Sequence, residues 1–143
     1  MKYHFKVHKE GKGFWAQCIE LTGCVTEADS MDELYANMEE ALNLYVEEPD
    51  DSKVLAPLPD ESILVSRNIV EVALDPMIAF AFMVRYCRIK HGLTQQQAAK
   101  KMGFDTIYSY QRLEGKRCNP SLKIISKIKN IFPDFSIDYV MSN

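Results

Sequence analysis

The sequence of 143 residues contains no Cys-x-x-Cys pair, and its four cysteines (Cys18, Cys24, Cys87, Cys118) are widely scattered. A structural zinc site needs ligands at short spacing, so no metal is expected, and the cysteines read as reduced, half-buried thiols. Long apolar runs are missing as well. The longest, near residues 78–84, falls far short of the roughly 20 residues that span a bilayer. The chain opens Met1-Lys2-Tyr3-His4-Phe5-Lys6, an alternation where a signal peptide would carry an apolar centre. A cytoplasmic protein without a membrane partner is expected. No stretch sets a nucleophile, a base and an orienting group together. Binding without catalysis is therefore expected, with no cofactor required.

What is present is enough apolar material for a packed core, 47% of residues, with no segment polar enough to be disordered. The length allows one domain or two small ones. Charge separates them. Residues 1–75 hold 6 Lys+Arg against 16 Asp+Glu, a net of -10, whereas residues 76–143 hold 11 against 4, a net of +7. Such asymmetry suggests two modules with different partners. A basic half matches the footprint of a phosphate backbone, although a solvated helix face carries similar charge. An acidic half suits a basic protein partner, since complementary potential steers association.

In the acidic half, Tyr3, Phe5 and Val7 alternate with polar residues, the period of a half-buried strand. Glu10-Gly11-Lys12-Gly13 reads as a turn, Phe14–Ile19 as a second strand, and Cys24-Val25-Thr26 as a third. Ser30 with Glu33 three residues on forms the pattern of a capping box. Leu34, Met38, Ala41, Leu42 and Tyr45 then follow at helical spacing, so a helix is expected over residues 31–46. Residues 48–62, with three prolines and several acids, read as a loop. Two β-branched runs, 63–66 and 69–74, read as another strand or strand pair. His4 and His8 share one face of the first strand, with Glu20, Asp29, Asp32 and Glu33 nearby in sequence.

The run Gly13-Phe14-Trp15-Ala16-Gln17-Cys18-Ile19-Glu20-Leu21-Thr22-Gly23-Cys24-Val25-Thr26, followed by the helix opening Ser30-Met31-Asp32-Glu33-Leu34 and closing Glu40-Ala41-Leu42, resembles the N-terminal domain of HicB antitoxins. The usual proline before Gly23 and a glycine near Ala28-Asp29 are missing. The resemblance implies a partial ribonuclease-H-like sheet and helix without nuclease activity. It also implies a partner: a small, basic, mRNA-cleaving toxin of the HicA type. It does not single out the toxin-contact residues.

The basic half begins at Asp75-Pro76, with proline suited to a first helical position. Met77, Ala81, Val84 and Ile89 suit the buried side of a helix to Lys90, while Phe80 and Phe82 spread round it and suggest a second apolar surface for a dimer. Gly92 ends this helix. Thr94 caps the next, Gln97 completes its capping box, and Ala98, Ala99 and Met102 face inward before Gly103 stops it. Asp105 or Thr106 caps a third helix that buries Tyr110 and Leu113; Ser121 caps a fourth that buries Leu122, Ile125, Ile128 and, less clearly from spacing, Ile124; Ser136 starts a last short turn. Two short helices around a glycine turn are the sequence sign of a helix-turn-helix. The elements Leu93-Thr94-Gln95-Gln96-Gln97-Ala98-Ala99, Lys100-Lys101-Met102-Gly103, Tyr110-Gln111-Arg112-Leu113-Glu114 and Asn119-Pro120-Ser121-Leu122 together resemble the Cro/repressor-type (XRE) DNA-binding domain. That resemblance implies base readout by Thr106, Ile107, Tyr108, Gln111 and Arg112, and phosphate contacts by Gln95, Gln96, Lys116 and Arg117. Arg favours guanine and Gln favours adenine because each bonds bidentately.

The expectation is an α+β chain: 1–74 a HicB-like toxin-binding domain, 75–143 an XRE-type helix-turn-helix domain. It would neutralise a HicA-like toxin by direct binding and repress its operon at operator DNA, as a homodimer or higher homo-oligomer, because paired recognition helices read half-sites one turn apart. Two alternatives stand beside it. One is a stand-alone transcription regulator whose N-terminal domain senses a ligand or oligomerises; the other is a minimal nuclease using His4, His8 and acids of the sheet.

Overall fold

Alternation in the first ten residues produces strand β1 (Lys2–Glu10), which turns at Gly11, φ 58°, into β2 (Gly13–Cys18). The two pair antiparallel with Phe5 opposite Cys18 and Val7 opposite Ala16, so Tyr3, Phe5, Ala16 and Cys18 share one buried face. A third strand, β3 (Val25–Ala28), adds to the outside of β2, and β4 (Ile69–Ala73) adds to β1. The sheet has four antiparallel strands in the order β3-β2-β1-β4. Helix α1 (Met31–Val46) lays Leu34, Met38, Leu42 and Val46 onto its buried face. The helix starts at Ser30, whose hydroxyl accepts from the Glu33 amide at 3.2 Å. The Glu33 carboxylate takes the Asp29 amide at 3.3 Å, one residue before the position a capping box uses.

The structure, a computed structural model, describes residues 1–47, 54–115 and 118–142. They form an α+β chain that divides into two compact units, one built mainly from residues 1–47 and 56–75, the other mainly from residues 76–141. Part of the expected loop 48–62 lies outside the described residues; from residue 54 on it has no regular structure. The apolar run 63–66 is not a strand. Leu64 and Val65 are 79% and 58% exposed, and the Ser66 amide instead donates to Ile69 O in a turn that leads into β4. β-branched residues with no surface to cover do not pair.

The second unit contains α2 (Pro76–Lys90), α3 (Gln95–Lys101), α4 (Ile107–Glu114), α5 (Leu122–Ile131) and α6 (Ile137–Met141). α2 is buried without a break from Ile78 to Arg85, whereas Met77 and Ile89 are only half-buried. A helix that is apolar nearly all round has no single buried stripe for spacing to reveal. Phe80 and Phe82 are both buried, and the Phe80 ring meets Phe135 edge-on at 5.7 Å. Gly103, φ 74°, closes α3, with its amide on Lys100 O and the Phe104 amide on Ala99 O. Ala98, Ala99, Met102, Tyr110, Leu113, Ile128, Phe132, Phe135 and Val140 are all buried. α5 departs from expectation. Only Ile128 is buried; Ile124 and Ile125 are half-buried and Leu122 is 84% exposed. At about 3.6 residues per turn, Leu122 lies well round the helix from Ile128 and cannot share its face.

Candidate functional site

Where α2, α3 and α4 meet, polar side chains from all three helices are joined in one network. Arg88 of α2 is 9% exposed and Glu114 of α4 is 5% exposed. The Arg88 Nε donates to both Glu114 oxygens, at 2.9 and 3.1 Å, and its Nη1 donates to Leu93 O at 2.9 Å in the turn before α3. From α3, Gln95 Nε2 donates to Glu114 Oε2 at 2.8 Å, and Gln95 Oε1 accepts from Gln111 Nε2 at 3.1 Å. The chain of bonds has one polarity. An ionised carboxylate only accepts, so Gln95 turns its NH2 to Glu114 and its carbonyl to Gln111, and Gln111 becomes the donor.

Beside this network Tyr110 is wholly buried, and burial first, then the negative charge of Glu114, pushes its hydroxyl well above the ordinary phenol range. Burial likewise pushes the Cys87 thiol up to about 11. Thr94 caps α3: its hydroxyl accepts from Gln97 N at 3.1 Å, and Gln97 Oε1 accepts from Thr94 N at 2.9 Å, so both halves of the expected capping box are present. Gln96 is free of that duty and exposed.

The outer side of α4 is polar. Tyr108 is 74% exposed, and Arg112, one turn on, is exposed with it. Thr106 stands at the N-cap position without a side-chain cap bond, its hydroxyl 3.3 Å from that of Ser109. Ile107 and Gln111 are half-buried. Of the residues named from sequence, then, Thr106, Tyr108 and Arg112 stand on the surface of α4. Gln95 and Gln111 are joined inside the network, and Gln96 lies apart at the start of α3. Lys116 and Arg117 lie outside the described residues. Sequence reasoning missed Arg88 and Glu114 as organising residues; Arg88 stands out only as a charge in the largely apolar α2, and Glu114, among polar neighbours, carries no such signal.

In the first unit His4 and His8 have different surroundings. His4 is buried, its Nδ1 2.6 Å from Glu20 Oε1 and its Nε2 3.8 Å from Glu71 Oε1; Glu20 also accepts the amides of His4 and Asp60. His8 is half-buried and stacks on Trp15 at 4.0 Å. Burial pushes the Cys18 thiol up to about 12, which makes it a poor nucleophile. A shallow cavity of about 400 Å³ is lined by Glu10, Gly13, Phe14, Trp15, Glu27, Ala28, Asp29 and Glu33. Among the described residues no group of three His, Cys, Asp or Glu could hold a metal ion, and no helix is long and apolar enough to cross a membrane.

Compared with protein-family models and with curated proteins, the chain matches none.

Proposed function

We propose that the second unit binds DNA as a helix-turn-helix, with α3 lying across the phosphate backbone and α4 entering the major groove. The observation that carries this reading is the pairing of α3 and α4 around Gly103. Their inner faces are filled by Ala98, Met102, Tyr110 and Leu113, and α4 presents Tyr108 and Arg112 outward. The basic balance of residues 76–143 supplies phosphate attraction. The first unit, a sheet with one helix that we read as partial ribonuclease-H-like, acts by binding and not by catalysis. Its acidic surface receives a small basic HicA-type toxin and covers the toxin's active site. The whole is an antitoxin that represses its own operon as a homodimer or larger assembly. The separation of His4 from His8, one buried against Glu20 and the other stacked on Trp15, disfavours the nuclease alternative.

The test is co-purification of the full chain with the product of the neighbouring gene, followed by a mobility-shift assay on the upstream DNA. A stable complex and a retained duplex are expected. A chain that shifts the DNA but captures no basic partner would leave the stand-alone regulator as the better reading.

A further inference from the structure

Five side chains of α4 and its cap are available by position for base contact, yet they are not equally free. Gln111 donates to Gln95, which is itself held by the buried Glu114–Arg88 pair. Thr106 is occupied with Ser109, and Ile107 is half-buried. That leaves Tyr108, 74% exposed, and the exposed Arg112. Four residues apart, they stand on one side of the helix, about 6 Å from each other along its axis. Base pairs rise about 3.4 Å each, so from a helix lying in the groove the two side chains reach positions within about two steps of each other.

We propose that Tyr108 and Arg112 carry the base readout of α4, Tyr108 by apolar contact with a thymine methyl and Arg112 by a bidentate contact with guanine, and that Gln111 is a tether and not a reader. The inference rests on the DNA-binding reading of the second unit. Adenine recognition by glutamine needs the amide free to offer a donor and an acceptor side by side. Here the direction of the bonds from Glu114 makes the Gln111 NH2 a donor to Gln95, and the side chain is drawn inward with it. Tyr108 offers a ring face where an apolar methyl is the complementary surface, and Arg112 offers the paired donors that guanine accepts.

The experiment is selection of binding sites from a pool of random duplexes by the full chain, repeated with variants. Wild type is expected to enrich a thymine and a guanine within about two base pairs of each other. Arg112→Ala should lose the guanine preference only, and Tyr108→Ala the thymine preference only. Each loss should amount to about 5- to 150-fold in discrimination. Tyr108→Phe should keep the thymine preference, since the ring and not the hydroxyl is used. Gln111→Met, which keeps the side chain's length, should keep both. Loss of an adenine preference in the Gln111→Met pool overturns the proposal, as does wild-type preference in the Tyr108→Ala or Arg112→Ala pool. If wild type enriches nothing, the DNA-binding reading falls and the proposal with it; enrichment with the preferences on other residues overturns the proposal alone.

Discussion

A single buried carboxylate, Glu114, determines what several other residues can do. It accepts from Arg88 and from Gln95 at once, and removing one partner would leave the charge uncompensated in a buried place. Arg88→Ala should therefore destabilise the second unit by about 3–5 kcal/mol. The double replacement Arg88→Met, Glu114→Leu should recover much of that loss. Urea unfolding of the three proteins decides it; a mild single variant would mean that water reaches Glu114. Thiols set a second residue-scale expectation. Cys18 is pushed up to about 12 and Cys24 and Cys87 to about 11, in each case by burial, from an ordinary value of 9.0. Unfolded thiols ionise first as pH rises, so the stabilisation is whole below pH 9 and is lost as pH climbs through 11 and 12. The urea midpoint should fall between pH 9 and 11, and Cys18→Ala should make that fall shallower; a midpoint flat over the range would contradict the burial of these thiols.

Helix ends and helix faces carry the element-scale expectations. Thr94→Ala removes the hydroxyl that accepts from Gln97 N and should destabilise by about 1 kcal/mol. Gly103→Ala should cost a similar amount, about 1 kcal/mol, from the positive φ alone, because a Cβ there meets nothing within 4 Å. On α5 the contrast is sharper. Ile128→Ala should destabilise by about 2–5 kcal/mol, while Leu122→Ala, at an 84% exposed position, should stay within about 0.5 kcal/mol. Equal effects at the two positions would show that the face of α5 is wrongly assigned. Capping and turns were legible in sequence because they are local: Ser30, Thr94, Ser121, Gly92 and Gly103 act on residues within one turn of themselves. What was not legible depended on partners distant in sequence. No spacing rule says that Gln95 meets Glu114, nineteen residues on, or that Leu122 stays 84% exposed. The run 63–66 shows the same limit, since its β-branched residues resemble those of β4 while the segment forms a turn with Leu64 and Val65 exposed. For the candidate site, the surface residues Tyr108 and Arg112 could be read from the order of elements, and the inward turn of Gln95 and Gln111 could not.

At the scale of the whole molecule the net charge of -3 would predict weak attraction to nucleic acid, and it is the division of charge that argues otherwise. Seven net positive charges lie in residues 76–143, and phosphates respond to the local field within a Debye length, about 10 Å at 0.1 M salt, more than to the sum over the chain. The full chain should bind duplex DNA with an affinity that falls steeply with salt, because each neutralised phosphate releases counterions. Lys116 belongs to the phosphate set named from sequence and lies outside the described residues. Lys116→Ala should weaken all duplexes alike and reduce the log–log salt slope by about 1, with the base preferences of the selected sites unmoved. Titrations of one selected and one scrambled duplex over a range of salt concentrations measure both quantities. An unchanged slope removes Lys116 from the phosphate set. A slope unchanged but a preference altered would make it a reader instead, and would move part of the specificity out of α4 and into the segment that follows it.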